Sequence, residues 1–301
     1  MTTTDTSGPS TSRFGSRRAL ILFTAGALVL AGLAALLFLP WDWAAISNEI
    51  AAGVSSRGFW TAAGVGLLAQ MVDGALGMAY GVTSTTFLLS TGVPPAAASA
   101  SVHIAEIFTT GFSGFSHWKL GNVNKSLFKR LLIPGVIGGL IGAYLVTSLD
   151  GDMLRPWIAA YLVVIGIFII SKAFRPIHIR TEPPTYVAPL AVTGGFVDAI
   201  GGGGWGPVVT TSLLGSGQDP RTTIGSVNAA EFFLAISTGL SFAMLGGLTH
   251  WTTIAGLVLG GLFAAPFAAV LVRYLPTRAL LIIVGLLITS LSVWNLWKVF
   301  A

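Results

Sequence analysis

The sequence contains one glycine-rich stretch twice, as VDGALGMAYGVTSTT at residues 72–86 and as VDAIGGGGWGPVVTT at residues 197–211. The similarity extends beyond these letters: at an offset of 125, residues 72–121 align with 197–246 without a gap, and 19 of the 50 pairs are identical. The identical pairs include Asp73 with Asp198, Gly77 with Gly202, Gly81 with Gly206, Thr85 with Thr210, Thr86 with Thr211 and Glu106 with Glu231. Two duplicated halves in an apolar chain favour a transporter fold.

The composition indicates a membrane protein. Of the 301 residues, 53% are hydrophobic and 9% are charged, whereas a soluble domain carries roughly a quarter charged residues. The chain has no cysteine, which excludes a disulfide scaffold, a thiolate metal site and a cysteine nucleophile. The net charge of +5 comes from short basic clusters between apolar runs, a pattern typical of cytoplasmic loops rather than of nucleic-acid binding.

The lengths of the apolar runs predict how the chain crosses the bilayer. Residues 1–18 are rich in Ser, Thr and Arg and predict a disordered cytoplasmic N-terminus, and residues 19–40 predict an extra transmembrane helix. Phe59 to Thr91 has 33 residues, which as one helix would be ~50 Å long against a hydrocarbon core of ~30 Å. Its glycine-rich middle therefore predicts a hairpin that enters the membrane, breaks and returns. The second copy, about 186–217, breaks at a glycine run followed by Pro207.

Three ordinary spans follow each hairpin, in a first repeat at 59–175 and a second at 186–300. They are predicted at Ala96 to Ser116, Leu131 to Leu149, Pro156 to Ser171, Thr222 to Leu245, Trp251 to Val272 and Arg278 to Val299. An odd number of crossings per half, with the basic loops then on one side, predicts inverted halves and a cytoplasmic N-terminus. The predicted fold is an all-α polytopic membrane protein with two inverted-topology repeats. Each repeat is a broken, re-entrant helical hairpin followed by three transmembrane helices.

Of the chain's 27 charged residues, 16 basic and 11 acidic, only four fall in the interior of the predicted spans, away from their ends. They are Asp73, Glu106, Asp198 and Glu231. Ionisable groups within a bilayer are costly and are usually paired or functional. The two aspartates are interpreted as caps that accept hydrogen bonds from backbone N–H groups at the helix breaks. The two mid-helix glutamates are assigned to substrate binding or proton coupling.

One turn before the glutamates lie His103 and Asn228. At a spacing of three residues each shares a helix face with its glutamate, so both are predicted to line the pathway; ordinary hydrogen bonding in the core is the alternative. The four histidines are too scattered to predict a metal site, and the GxGxxG match at residues 201–206 has no βαβ unit around it.

The helix breaks themselves predict an anion site. A half-helix that starts in the membrane presents free N–H groups and a positive dipole end, and glycine lets a solute approach the backbone. Threonine hydroxyls lie one turn further, with helix packing as their alternative role. The predicted substrate-binding residues are Gly77, Gly81, Thr85, Thr86, His103, Gly202, Gly203, Gly204, Trp205, Gly206, Thr210, Thr211 and Asn228.

In these motifs the chain resembles the TauE/SafE family of sulfite and organosulfonate exporters, also called DUF81. The resemblance covers residues 59–300 and rests on GLLAQMVDGALGMAYG (66–81) and AVTGGFVDAIGGGGWGP (191–207). The first motif departs from the second at three positions: Leu76, Met78 and Ala79 stand where the second has glycines. The resemblance implies a carrier of the bacterial inner membrane that moves small sulfur-containing anions outward.

The leading hypothesis is therefore a secondary transporter of sulfite or an organosulfonate such as sulfoacetate. Its partners are this anion and the lipid bilayer, with no cofactor and no nucleic acid, and a homodimer is left open. On Coulomb grounds the alternative is a cation or metal-ion carrier that uses the four buried acids. An intramembrane enzyme is disfavoured, because Ser99 and Ser101 are not expected to lie one turn from His103.

Overall fold

A computed structural model describes residues 41–174, 184–246, 248–271 and 277–301. The predicted N-terminal tail and the predicted helix at 19–40 lie outside the described residues, as does His178. The described residues are helical and contain no strand, which confirms the all-α prediction. Within these described ranges, four helices are long and apolar enough to cross a membrane: Lys125–Ser148, Gly151–Lys172, Pro220–Met244 and Leu281–Val299.

The helices follow one another in the order that the repeat predicts. They are α1 (Trp43–Gly53), α2 (Arg57–Leu76), α3 (Tyr80–Ser90), α4 (Pro95–Lys119), α5 (Lys125–Ser148), α6 (Gly151–Lys172), α7 (Val187–Gly201), α8 (Thr211–Gly215), α9 (Pro220–Met244), α10 (Trp251–Leu271) and α11 (Thr277–Phe300). A π-helical turn, Trp205–Thr210, joins the second break to α8. We call α2 with α3 the first hairpin, and α7 with the π-helical turn and α8 the second hairpin.

Both hairpins break at the same repeat position for the same reason. The long arm of each ends at a glycine in the left-handed conformation, Gly77 with φ 64° and Gly202 with φ 63°. Glycine adopts this conformation without the clash that a Cβ would cause. The backbone conformation of the two breaks differs two residues further along. Ala79 in the first hairpin has a positive φ of 113°, which is uncommon for a non-glycine residue. Its repeat partner Gly204 has φ −125°.

The long arms pack closely against a helix of the opposite half. Gly256 and Gly260 of α10 bring that helix against the backbone of Phe59 and Ala63 in α2. In the same way Gly138 and Gly142 of α5 bring α5 against the backbone of α7. Residue numbers rise together along both pairs, so each pair is parallel. Small residues allow such close backbone contact between helices in a membrane.

The two helices that follow the hairpins, α4 and α9, are antiparallel. Gly114 of α4 lies against Ala229 of α9, and Gly239 of α9 lies against Ile104 of α4. At one end of the bundle, Arg221 at the start of α9 donates to the Asn122 side chain just after α4, at 2.5 Å between Nε and Oδ1. This crossing brings the central residues of both helices to the two hairpin tips.

Candidate functional site

The tips of the two hairpins touch through their backbones. A Cβ placed on Gly81 would lie 2.6 Å from the Cα of Gly203 and 2.8 Å from the carbonyl oxygen of Gly202. Such distances leave no space for a side chain at Gly81. Glycine is therefore required here because one polypeptide backbone crosses another, and the tips leave no room for a solute between them in this conformation.

Two threonine hydroxyls join the tips in a symmetric manner. Thr85 Oγ1 donates to the Gly202 carbonyl at 2.6 Å, and Thr210 Oγ1 donates to the Gly77 carbonyl at 3.1 Å. The offset of 125 relates both donors and both acceptors. Each hydroxyl thus satisfies a carbonyl that the helix break leaves without an intrahelical partner.

The carboxylate of Asp198 holds the second break together. Its Oδ1 accepts the backbone N–H groups of Gly204 at 2.7 Å and Trp205 at 2.9 Å. These are N–H groups at the start of the π-helical turn, where the dipole favours a negative group. In the first hairpin the matching N–H, that of Tyr80, donates to Asp73.

The other oxygen of Asp198, Oδ2, lies 3.1 Å from Nε2 of His103. Both side chains are buried, and this is the salt bridge found among the described residues. On the far side of the ring, Nδ1 of His103 lies 2.8 Å from the carbonyl oxygen of Ser99. A carbonyl only accepts, so Nδ1 carries a hydrogen. Nε2 and Oδ2 thus form a buried polar contact between the two halves of the chain.

The two glutamates complete a cluster of buried acids. Glu106 lies within electrostatic range of Asp73, Asp198 and Glu231. A Cβ on Gly81 would be 2.8 Å from Glu106 Oε1, so this carboxyl lies against the first tip. Its Oε2 is buried and has no hydrogen-bond partner. One ligand atom from each of His103, Glu106 and Asp198 lies within 4.8 Å of the others.

Comparison with known proteins finds a family model and relatives that are similar to this chain. The family model of the sulfite exporter TauE/SafE matches residues 62–294. The chain belongs to this family. The probable membrane transporter protein YtnM of Bacillus subtilis (strain 168) is 42% identical over 245 residues, 77% of this chain and 82% of that protein. The probable membrane transporter protein ORF9 of Sinorhizobium sp is 25% identical over 142 residues, 46% of this chain and 54% of that protein. No solved structure matches the chain.

The family match confirms the resemblance seen in the sequence and identifies this TauE/SafE chain as a membrane transporter. Some of the predicted substrate-binding residues have other contacts in the structure. Thr86 donates to the carbonyl of Val82 in its own helix, and Thr211 Oγ1 lies 3.4 Å from Met78 Sδ. Trp205 is fully buried, and its indole N–H donates to the Val227 carbonyl at 3.2 Å.

Asn228 departs furthest from its repeat partner. Its amide nitrogen donates to Ser113 Oγ at 2.8 Å, and its Oδ1 is buried without a partner. His103 instead contacts Asp198 in the other half. The TauE/SafE site is consequently asymmetric: one half has a histidine–aspartate pair, and the other half has no matching pair.

Sequence reasoning missed two residues near the Asp198 carboxyl. The buried hydroxyl of Tyr161 in α6 has no hydrogen-bond partner and would lie 2.9 Å from a Cβ on Gly204. A tyrosine inside the apolar run AAYLVV was the available signal. Ser99 was excluded on its spacing, and this was wrong: it lies one helical turn before His103, with Oγ 3.3 Å from Nδ1.

Ser99 is nevertheless not held as a nucleophile. Its hydroxyl donates to the Ala199 carbonyl at 2.5 Å, and the ring nitrogen facing it already carries a hydrogen. His103 therefore cannot take the serine proton through Nδ1, as nucleophilic catalysis would require. The serine instead connects α4 to the second break.

Proposed function

We propose that this TauE/SafE protein is a secondary transporter that carries a small sulfur-containing anion, sulfite or an organosulfonate such as sulfoacetate, outward across the bacterial inner membrane. The proposal rests on one observation: the tips of two broken helices meet in the interior of the protein. The N-terminal ends of their second halves lie close to His103, Tyr161 and the threonine hydroxyls. Helix N-termini and hydroxyls bind oxyanions without a buried lysine or arginine. The family match supports the substrate class.

The two halves have inverted topology in this proposal. Three observations support it: α4 and α9 are antiparallel, each hairpin arm runs parallel to a helix of the other half, and the threonine contacts at the tips are related by the repeat. Such an arrangement opens the two hairpins toward opposite faces of the membrane. The basic loop around Lys125 then faces the cytoplasm, with the N-terminus on the same side.

The transport cycle requires the tips to separate. In the present conformation Gly203 rests on the peptide that joins Gly81 to Val82, so the anion cannot pass between them. Movement of one hairpin away from the other opens the space between the tips to one side of the membrane at a time. This is an alternating-access cycle with the substrate held near the midplane.

Protons resolve the electrostatic conflict of an anion beside four acids. In this proposal the buried His103–Asp198 pair holds a proton when the anion binds. A further proton on Glu106, whose Oε2 has no partner, removes another negative charge. An anion then enters a neutral or positive site, and its release is coupled to proton loss from these groups. The other titratable groups that face this cluster are Glu231, Asp73, Tyr80 and Tyr161.

Transport in proteoliposomes tests the proposal. The purified protein is assayed with radiolabelled sulfite, sulfoacetate and a divalent cation, with and without a pH gradient. We expect anion movement that a pH gradient accelerates, and a Glu106→Gln variant whose rate no longer responds to the gradient. Glu49→Gln, an exposed acid of α1, is the matched control and should behave as the parent. Cation uptake without anion movement would refute the proposal in favour of the alternative that the acids suggested.

A further inference from the structure

A cavity of about 290 Å³ lies away from the hairpin tips, where α3 ends. It is bounded by Ser90 and Gly92 after the first tip, by Arg155 of α6, and by Asn295 and Lys298 of α11. The space is large enough for a small oxyanion with several waters, since a water occupies about 30 Å³ of liquid. It opens at the end of the molecule from which the first hairpin enters.

Two cations border this cavity without a carboxylate to neutralise them. Lys298 Nζ lies 3.3 Å from the Ser90 carbonyl, and Arg155 Nη2 lies 3.1 Å from the Gly92 carbonyl. Neither forms a salt bridge with an acid among the residues that the structure describes. Arg155 Nε is buried and has no hydrogen-bond partner. An unpaired N–H on a buried guanidinium is costly unless an acceptor visits it.

A polar column connects the cavity with the midplane. Lys298 contacts Ser90, and one turn deeper Asn295 Nδ2 lies 3.4 Å from the Thr86 carbonyl. The same parallel register places Ser292 level with Thr83 another turn deeper. The hydroxyls of both residues are buried without partners, and so is that of Ser84. Unsatisfied hydroxyls in a row indicate groups that a solute or water contacts in another state.

The hydroxyls that α3 contributes to this column have no counterpart in the second hairpin. At the offset of 125, Val208 and Val209 stand where the first half has Thr83 and Ser84. The second half shows that valine at both positions is compatible with helix packing. The hydroxyls therefore need another explanation than packing.

Helix capping explains only part of this arrangement. Cations at the C-terminal end of a helix stabilise its last carbonyls, and the contacts of Arg155 Nη2 and Lys298 Nζ do this for α3. Capping leaves unexplained the cavity itself, the unpaired Nε and the partnerless hydroxyls below it. These features share one requirement, which is an anionic acceptor with several oxygens.

We propose that the cavity between Arg155, Asn295 and Lys298 is a second anion site, through which the transported sulfur oxyanion passes between the midplane and the face where the first hairpin opens. The inference rests on the proposed transport function. The guanidinium Nε–H and the ammonium bind the anion, as charge-assisted donors do, and the Asn295 amide lies at the inner end of the cavity. The hydroxyls of Thr83 and Ser292 lead from there toward the tips.

Kinetics of sulfite transport test this site. Arg155→Gln and Lys298→Gln are compared with the parent at low and high salt, and Lys125→Gln, an exposed lysine at the start of α5, is the matched control. We expect each test variant to raise KM for sulfite about tenfold at low salt, with little change in kcat. The rise should shrink at high salt, because the lost contact is electrostatic. Arg155→Lys, which keeps the charge, should recover part of the KM.

A measurement on the parent protein covers the case in which a variant does not fold. Phenylglyoxal modification of Arg155, followed by mass spectrometry, should slow in the presence of sulfoacetate. Parental KM in both glutamine variants, with only a lower melting temperature, would show that the two cations serve as caps and would overturn the inference. Absence of protection by sulfoacetate would overturn it as well. If the parent itself moves no sulfur anion, the proposed function has failed rather than this site.

Discussion

His103 and Asn228 occupy matching positions in the two halves, yet they have different roles. The histidine contacts Asp198 across the molecule, at 3.1 Å between Nε2 and Oδ2, whereas the asparagine donates to Ser113. Only one half of the duplicated motif therefore contains a histidine–aspartate pair.

Gly81 lies where the backbones of the two tips cross. Gly81→Ala places a methyl group within 2.8 Å of Glu106 Oε1 and 2.6 Å of the Gly203 Cα. Neither backbone can move without shifting its hairpin, so we expect destabilisation by about 1–3 kcal/mol and loss of transport. Thermal unfolding in detergent and the proteoliposome assay measure the two effects.

Gly64→Ala is the matched control for this change, because nothing lies within 4 Å of a Cβ at that helical position. Alanine there should leave transport unchanged and stabilise the helix by up to about 1 kcal/mol. Equal behaviour of the two variants would contradict the close contact of the tips.

Among the elements, the helix starts show how local sequence controls the bundle. Asn124, Asp150 and Asp219 each accept a backbone N–H at the first turn of α5, α6 and α9. At α9 the Asp219 carboxylate accepts both the backbone N–H and the hydroxyl of Thr222, at 2.9 and 2.8 Å. These two bonds hold the pKa of Asp219 below its ordinary value.

The sign of the pH effect at Asp219 follows from this lowered pKa. Its contribution to stability is complete above the ordinary aspartate pKa of about 3.9 and is lost as the pH falls through the lower folded-state pKa. We expect Asp219→Ala to destabilise the protein by about 1 kcal/mol at neutral pH. The difference from the parent should vanish in acid, as thermal unfolding across this pH range would show.

Asp219→Asn separates the hydrogen bonds from the charge. The amide oxygen can accept the same bonds, so this variant should keep most of the stability at neutral pH and lack the acid dependence. An Asp219→Ala protein as stable as the parent at neutral pH would show that the cap contributes nothing to α9.

For the whole molecule, the central question is the direction from which each hairpin enters. We infer that the open ends of the hairpins lie at opposite ends of the bundle, because α2 is parallel to α10, α5 is parallel to α7 and α4 is antiparallel to α9. Thr91 follows the first hairpin, and Ser216 is its repeat partner after the second.

Cysteine accessibility checks this orientation, and the chain offers a background free of cysteine. Thr91→Cys and Ser216→Cys are labelled in intact cells with a membrane-impermeant maleimide. We expect Thr91→Cys to react from outside and Ser216→Cys to react only after permeabilisation. Asp152→Cys and Lys125→Cys serve as references for the outer and inner faces. Labelling of both test positions from the same side would show that the repeats are not inverted.

The sequence alone determined the helical class, the duplication, the family and the position of both helix breaks. These properties depend on hydropathy over whole spans and on glycines with a required conformation, which are local signals. The matching positive φ values at Gly77 and Gly202 illustrate this.

Tertiary structure decided which residues meet. Asp198 was recognisable as a cap candidate, but its contact with His103 joins residues 95 positions apart. The unpaired Arg155, Tyr161 and Ser292 atoms became visible only through the helices packed around them. The physical reason is that a buried polar group is defined by its neighbours, and in an inverted pair of hairpins those neighbours come from the other half of the chain.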